Sequence, residues 1–132
     1  MHETGEPISS KHFAPDHLTF ATSYNNLAMI QQAQGDSYQS QGEFAKAKSE
    51  LAGARASIER AIAIESKHFA PDHPTVATSY NNLAGICYHE GDRAAACANF
   101  KKALAIFLKH FDDNHPNVKS VRESMKNVGC GA

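Results

Sequence analysis

Eight histidines and three cysteines are the side chains here best equipped for chemistry, and metal binding is the chemistry they would do. Six of the histidines, His12, His17, His68, His73, His110 and His115, form three pairs with the spacing His-x4-His. Zinc-binding histidines on one helix face are commonly three or four residues apart, and a structural zinc site needs four ligands. The pairs lie instead in a block that recurs. Ser-Lys-His-Phe-Ala-Pro-Asp-His at 10–17 returns unchanged at 66–73, and Leu-Lys-His-Phe-Asp-Asp-Asn-His-Pro follows at 108–116. A repeated linker accounts for these histidines without a metal. Cys87, His89 and Cys97 could gather near one hairpin, but Cys87 falls on an apolar stripe, where a free cysteine acts as a small hydrophobe. No metal and no cofactor is expected. An odd set of cysteines, Cys87, Cys97 and Cys130, with no apolar signal core after Met1, predicts no disulfide framework and a reducing, cytoplasmic setting.

Other reactive patterns are missing. There is no Gly-x-Ser-x-Gly elbow and no phosphate-cradling glycine loop. The acid pair Asp112-Asp113 lies in the third linker copy and reads as solvated turn chemistry, and Lys101-Lys102 as two charges on an exposed helix face. An enzyme is therefore not expected. The net charge is −1, with 13 basic and 14 acidic residues interleaved, so no basic stripe suits a nucleic acid. No apolar run approaches the roughly 18–20 residues that cross a bilayer.

Two elements per copy must position whatever function remains. The first two linker blocks are each followed by Ala-Thr-Ser-Tyr-Asn-Asn-Leu-Ala, at 21–28 and 77–84. Such self-similarity means stacked units, each too small to bury its own apolar face. Residues 10–28 and 66–84 agree at 17 of 19 positions, differing at Leu18/Pro74 and Phe20/Val76, which points to recent duplication or deliberate engineering. In the second copy Pro74 suits a first helical position, with Asp72 or His73 as the cap. Leu18 lacks proline's fixed φ, so the first helix is expected to start less sharply. Tyr80, Leu83, Ala84 and Cys87 form an apolar stripe of helical period, Gly91-Asp92 ends that helix, and Ala96, Phe100, Ala103 and Phe107 mark a second one.

The copies differ in length. His68 to His110 is 42 residues and His12 to His68 is 56, so the first copy carries 14 extra, placed at Ser37–Glu50. Phe44, Ala47, Leu51, Ala54, Ile58 and Ala61 alternate large with small at spacings of three and four, a helical seam. Gln34-Gly35-Asp36 echoes seven residues later as Gln41-Gly42-Glu43. The surplus thus divides into seven residues per helix. Seven residues turn a helix by about 700°, only ~20° short of two turns, so the buried stripe stays aligned. The hairpin should project about 10 Å further and turn at Gly42-Glu43. Gly35 becomes a mid-helix glycine, a cost of about 1 kcal/mol that close packing can offset. The alternative is an irregular loop over 37–50.

The expected organisation is all-α, an α-solenoid of stacked antiparallel helical hairpins forming a single domain over 1–132. Residues 8–17 would be the end of an upstream repeat and its linker, 18–67 a first, extended repeat, and 74–109 a second repeat. Residues 117–128 would be a capping helix, where Arg122-Glu123-Ser124-Met125-Lys126 replaces Tyr-Asn-Asn-Leu-Ala. Residues 129–132 should fray.

Asn81-Asn82-Leu83-Ala84, Gly91-Asp92, Ala96, Phe100 and Ala103 together resemble a tetratricopeptide repeat. The 42-residue spacing and Asp-His-Pro at 72–74 are similar to the kinesin-light-chain type. The resemblance covers about residues 8–128. Gln31 and Cys87 depart from it, since an aromatic usually stands there, and so does the 14-residue insertion. The resemblance implies a right-handed stack whose first helices line a concave groove for an extended peptide or a partner helix. It places Thr22, Asn25, Met29 and Gln32, then Thr78, Asn81, Gly85 and Tyr88, in that groove. Asparagine offers both donor and acceptor to a peptide backbone, which puts Asn25 and Asn81 foremost. Met29 and Tyr88 would add apolar contact. The other reading is self-association. Two hairpins are few for a stable stack, and apolar end faces, or Tyr38 and Phe44 near the long tip, could meet a second copy. A monomer whose ends are covered by 8–12 and 117–128 stays open beside it.

Overall fold

A computed structural model describes residues 17–131. The upstream segment expected at 8–17 lies, but for His17, outside the described residues. Helices α1 (Leu18–Ser40), α2 (Phe44–His68), α3 (Pro74–His89), α4 (Arg93–His110) and α5 (Pro116–Val128) follow one another, with no strand among the described residues. α1 pairs with α2 and α3 with α4; α2 also packs on α3, and α4 on α5, so each hairpin rests on its neighbour. This is the expected all-α solenoid of stacked hairpins.

The second histidine of each linker pair is a helix cap. His17, His73 and His115 precede α1, α3 and α5, and each Nδ1 accepts the backbone N–H two residues on, at 3.1, 3.0 and 3.1 Å. An imidazole accepts at Nδ1 only when that nitrogen is unprotonated, so this cap uses the neutral ring. Phe69 stacks on His73 with centroids 4.2 Å apart, and Phe111 on His115 at 3.7 Å, which explains why the linker repeats phenylalanine with histidine. Leu18 opens α1 behind the same cap that precedes Pro74, so the missing proline does not blur the start. Asp112 serves the third linker as turn chemistry, its Oδ1 accepting from Asn114 N at 3.0 Å.

The long hairpin divides its surplus evenly. α1 has 23 residues against 16 in α3, and α2 has 25 against 18 in α4. The chain reverses through Gly42, whose φ of +79° is open to glycine at little cost; Gly91 (+87°) does the same for the short hairpin. Gly35 is buried where α1 crosses α2, and a Cβ there would lie 2.8 Å from Leu51 Cγ. Ala47, Leu51, Ala54, Ile58 and Ala61 form the buried seam. Phe44 does not belong to it. It is 68% exposed, because it is the first residue of α2, beside the turn, where α1 has already ended. Gln31, at one departure from the family pattern, accepts a hydrogen bond from buried Ser57 (2.9 Å), and the missing side chain of Gly53 leaves it room.

The core joins the hairpins. Enclosed Ala28, Ala61, Ala84 and Ala103 let helices approach closely, and Ile58, Ile86 and Phe100 fill the spaces between. Cys87 is fully buried here, and burial pushes its thiol pKa up, which keeps it unreactive. Where the long hairpin overhangs the short one the join is polar. Arg55 Nη1 meets Glu90 at 2.9 Å, and Gln39 Nε2 donates to His89 O at 3.2 Å.

Two expectations about the C-terminal end are overturned. Cys97 and Cys130 form a disulfide, their Cα atoms 5.5 Å apart across 33 residues of sequence. Nor do Gly129 and Cys130 fray. Gly129 takes a left-handed φ of +85°, Cys130 N donates to Met125 O at 2.8 Å, and Arg93 donates to Gly129 O at 3.2 Å. The cause is packing: α5 buries Val118, Val121, Met125 and Val128, and the turn at Gly129 swings Cys130 back onto α4. With two cysteines paired, the cysteine argument for a reducing compartment lapses.

Candidate functional site

α1 and α3 are the first helices of their hairpins, and between them opens a cavity of about 340 Å³. Thr22, Asn25, Glu65, Thr75, Thr78, Ser79 and Asn82 line it, so every lining side chain brings a hydroxyl, an amide or a carboxyl, along with the apolar carbon that carries it. Three residues predicted for the groove, Thr22, Asn25 and Thr78, meet here. Thr22 and Thr78 are exposed; Thr78 Oγ1 also donates to Pro74 O at 3.2 Å.

Asn25 is tied into its surroundings. Its Nδ2 lies 3.3 Å from Glu65 Oε2 and 3.2 Å from Ser79 Oγ, and its Oδ1 accepts from Asn82 Nδ2 at 3.4 Å. Ser79 Oγ donates to Glu65 Oε1 at 2.7 Å. Glu65, 3% exposed, comes from the end of α2. Burial raises its pKa, while hydrogen bonds from Ser79 and Asn25 act the other way; His73 would join them only with its ring charged and its cap given up.

Asn81 occupies the same position in the second unit but has different neighbours. Its Oδ1 is buried and has no hydrogen-bond partner among the described residues. The repeat register explains this. Where Glu65 and Ser79 stand beside Asn25, the next unit has Phe107 and Val121, both buried and apolar. Asn81 thus keeps the asparagine of the repeat without the groups that satisfy it. Met29 is half-buried against the core, Gln32 lies across from Gly85, and Tyr88 is 46% exposed; these three and Asn81 lie outside the cavity.

Glu65, Thr75, Ser79 and Asn82 were not singled out by sequence. The usable signal was a mismatch between copies: a polar pair at 65 and 79 where the next unit is apolar.

The residues predicted for self-contact are near the tip. Tyr38 is half-buried with Lys46 Nζ 5.7 Å from its ring centre. Phe44 borders a hollow of about 220 Å³ with Gln39, Lys48, Leu51, His89 and Glu90. A more apolar hollow of about 380 Å³ lies on the C-terminal face, between Leu104 and Met125. Among the described residues no three or more His, Cys, Asp or Glu side chains gather to hold a metal, and no helix is long and apolar enough to cross a membrane.

A family model described as Tetratricopeptide repeat matches residues 36–109, more than half of the chain. No curated protein matches it.

Proposed function

This chain belongs to the tetratricopeptide repeat family, and on that premise we propose that it is a non-enzymatic interaction module that holds an extended peptide or a partner helix between α1 and α3. Repeats of this family mediate protein–protein interaction. The observation that carries the reading is the cavity between α1 and α3, walled by hydroxyls and amides rather than by apolar side chains. Such a surface suits a peptide backbone, which presents a donor and an acceptor at nearly every residue. Asn81 lies outside that cavity with its Oδ1 buried, so its part in binding is carried by the family resemblance alone. Tyr88 and Met29 would flank the peptide. Within the family, the 42-residue spacing and Asp-His-Pro at 72–74 favour the kinesin-light-chain type. A cytoplasmic setting fits this reading only if the repeat stack holds with Cys97 and Cys130 reduced.

Asn81→Ala tests the groove. It should weaken peptide capture and leave the scattering mass unchanged; unchanged peptide affinity would remove Asn81 from the site. A second reading is self-assembly, favoured by the exposure of Phe44 and by the apolar hollow beside Met125. Light scattering on dilute and concentrated samples separates the two. A mass that climbs with concentration and falls back in Phe44→Ser supports assembly through the tip. A pull-down read by mass spectrometry would identify the partner.

A further inference from the structure

We infer that the cavity between α1 and α3 takes a cationic side chain, a lysine or an arginine, from the bound peptide, with Glu65 as its counter-charge. This rests on the peptide-binding reading above and adds the chemistry of one subsite. Glu65 is 3% exposed and still lines the cavity. Its hydrogen bonds come from Ser79 Oγ and Asn25 Nδ2, both neutral groups. A carboxylate withdrawn from water is costly unless a positive charge faces it. None of the described residues that line the cavity supplies one. α1 and α3 contain no lysine or arginine in their 23 and 16 residues. His73 is not among the lining residues, and it can act as a cation toward Glu65 only by giving up the cap in which its Nδ1 accepts from Thr75 N.

The rim completes the fit. Thr22, Thr75 and Thr78 offer hydroxyl oxygens and Asn82 an amide oxygen to the N–H groups of an ammonium or guanidinium. An aspartate or glutamate entering the same space would meet a like charge and no cation among the described lining residues. The subsite is also single among the described residues. The next unit has Phe107 and Val121 where Glu65 and Ser79 stand, so a cationic residue can be read only at the first step of the stack. One charge at one register would set the direction and frame of the bound peptide.

The test uses the full chain, labelled with nitrogen-15, and three capped alanine pentapeptides with lysine, norleucine or glutamate at the centre. Binding is followed by the side-chain amide signals of Asn25 and Asn82. The lysine peptide should bind at least about tenfold tighter than the norleucine peptide, the difference expected of a charge-assisted hydrogen bond. The glutamate peptide should bind more weakly than either. In Glu65→Gln the preference for lysine over norleucine should vanish. Thr78→Lys, at an exposed position, carries an internal ammonium to the rim and should abolish the same preference in a protein of unchanged helicity. It decides the matter if Glu65→Gln does not fold. Equal binding of lysine and norleucine peptides in the unaltered protein overturns the inference and leaves the groove reading standing. A lysine preference that survives both substitutions also overturns it. If none of the three moves the groove signals, both readings fall.

Discussion

Replacing Gly35 by alanine tests whether the two arms of the long hairpin touch as closely as described. Alanine favours a helix interior over glycine by about 1 kcal/mol, so helix propensity alone predicts a gain. Packing predicts the reverse. The new Cβ would lie 2.8 Å from Leu51 Cγ, 3.0 Å from Leu51 Cδ2 and 3.4 Å from Ala47 O. Leu51 is only 1% exposed, and the nearest atom is its branch carbon, so relief requires the whole side chain to shift. Overpacking of this kind costs about 1–3 kcal/mol, so Gly35→Ala should destabilise by about 1 kcal/mol net. Gly85 is the control. Its nearest neighbour for an added Cβ is Gln32 Nε2 at 3.9 Å, so Gly85→Ala should stabilise by about 0.5–1 kcal/mol. Urea unfolding followed by circular dichroism reads both. The cycle with Leu51→Ala isolates the contact: once Leu51 is truncated, Gly35→Ala should turn favourable, a coupling of about 1–2 kcal/mol. If Gly35→Ala stabilises as Gly85→Ala does, or if the coupling is absent, the seam is not close-packed and the reasoning is wrong.

Cys130→Ser opens a link across 33 residues and should cost about 2–4 kcal/mol. A reducing agent should lower the melting temperature of the unaltered protein to about that of the variant and leave that of the variant where it is. Asn81→Leu removes an unmatched buried acceptor and should stabilise by about 1 kcal/mol, whereas Asn25→Leu strips a donor from Glu65 and Ser79 and should destabilise by about 2 kcal/mol. Thermal melts with opposite signs at these two identical-looking positions check the pair. Glu65 has a folded pKa above its ordinary 4.5, so the native state holds this proton more tightly than the unfolded chain does. Its contribution to stability is therefore greatest at low pH and falls as pH rises from about 4.5 through the folded value. The stability of Glu65→Gln relative to the unaltered protein should rise across that window and then level off. A difference that stays flat with pH would contradict the burial of this carboxyl.

What could be read from sequence was what is local. The seam through Ala47, Leu51 and Ile58 follows a helical period, and the shift of seven residues between Gly35 and Gly42 returns a helix to nearly the same face. Phe44 fits that period and still lies outside the seam, because periodicity does not say where the opposing helix stops. The groove was harder to read because its contacts join residues far apart in sequence, within the first hairpin and across to the second. Asn25 meets Glu65 40 residues away, and Asn82 meets Asn25 across 57. Asn25 and Asn81 sit in identical eight-residue blocks, and the partner helix of the same hairpin (Glu65 against Phe107) and the next helix of the stack (Ser79 against Val121) set them apart. Cys130 reaches Cys97 for a related reason: a left-handed turn after α5 decides it, and cysteine spacing carries no trace of that turn. The second histidine of each pair, His17, His73 and His115, is a cap for the backbone N–H groups of Thr19, Thr75 and Asn117, which the spacing alone does not reveal.

Amide hydrogen exchange, with and without a peptide selected against this protein from a random library, tests the binding surface most directly. Protection should appear along α1 and α3, around Thr22, Thr78 and Tyr88, and leave the long tip unchanged. Protection confined to the turn at Gly42 and Phe44 or to the face of Leu104 and Met125, or the failure of any peptide to be selected, would contradict it.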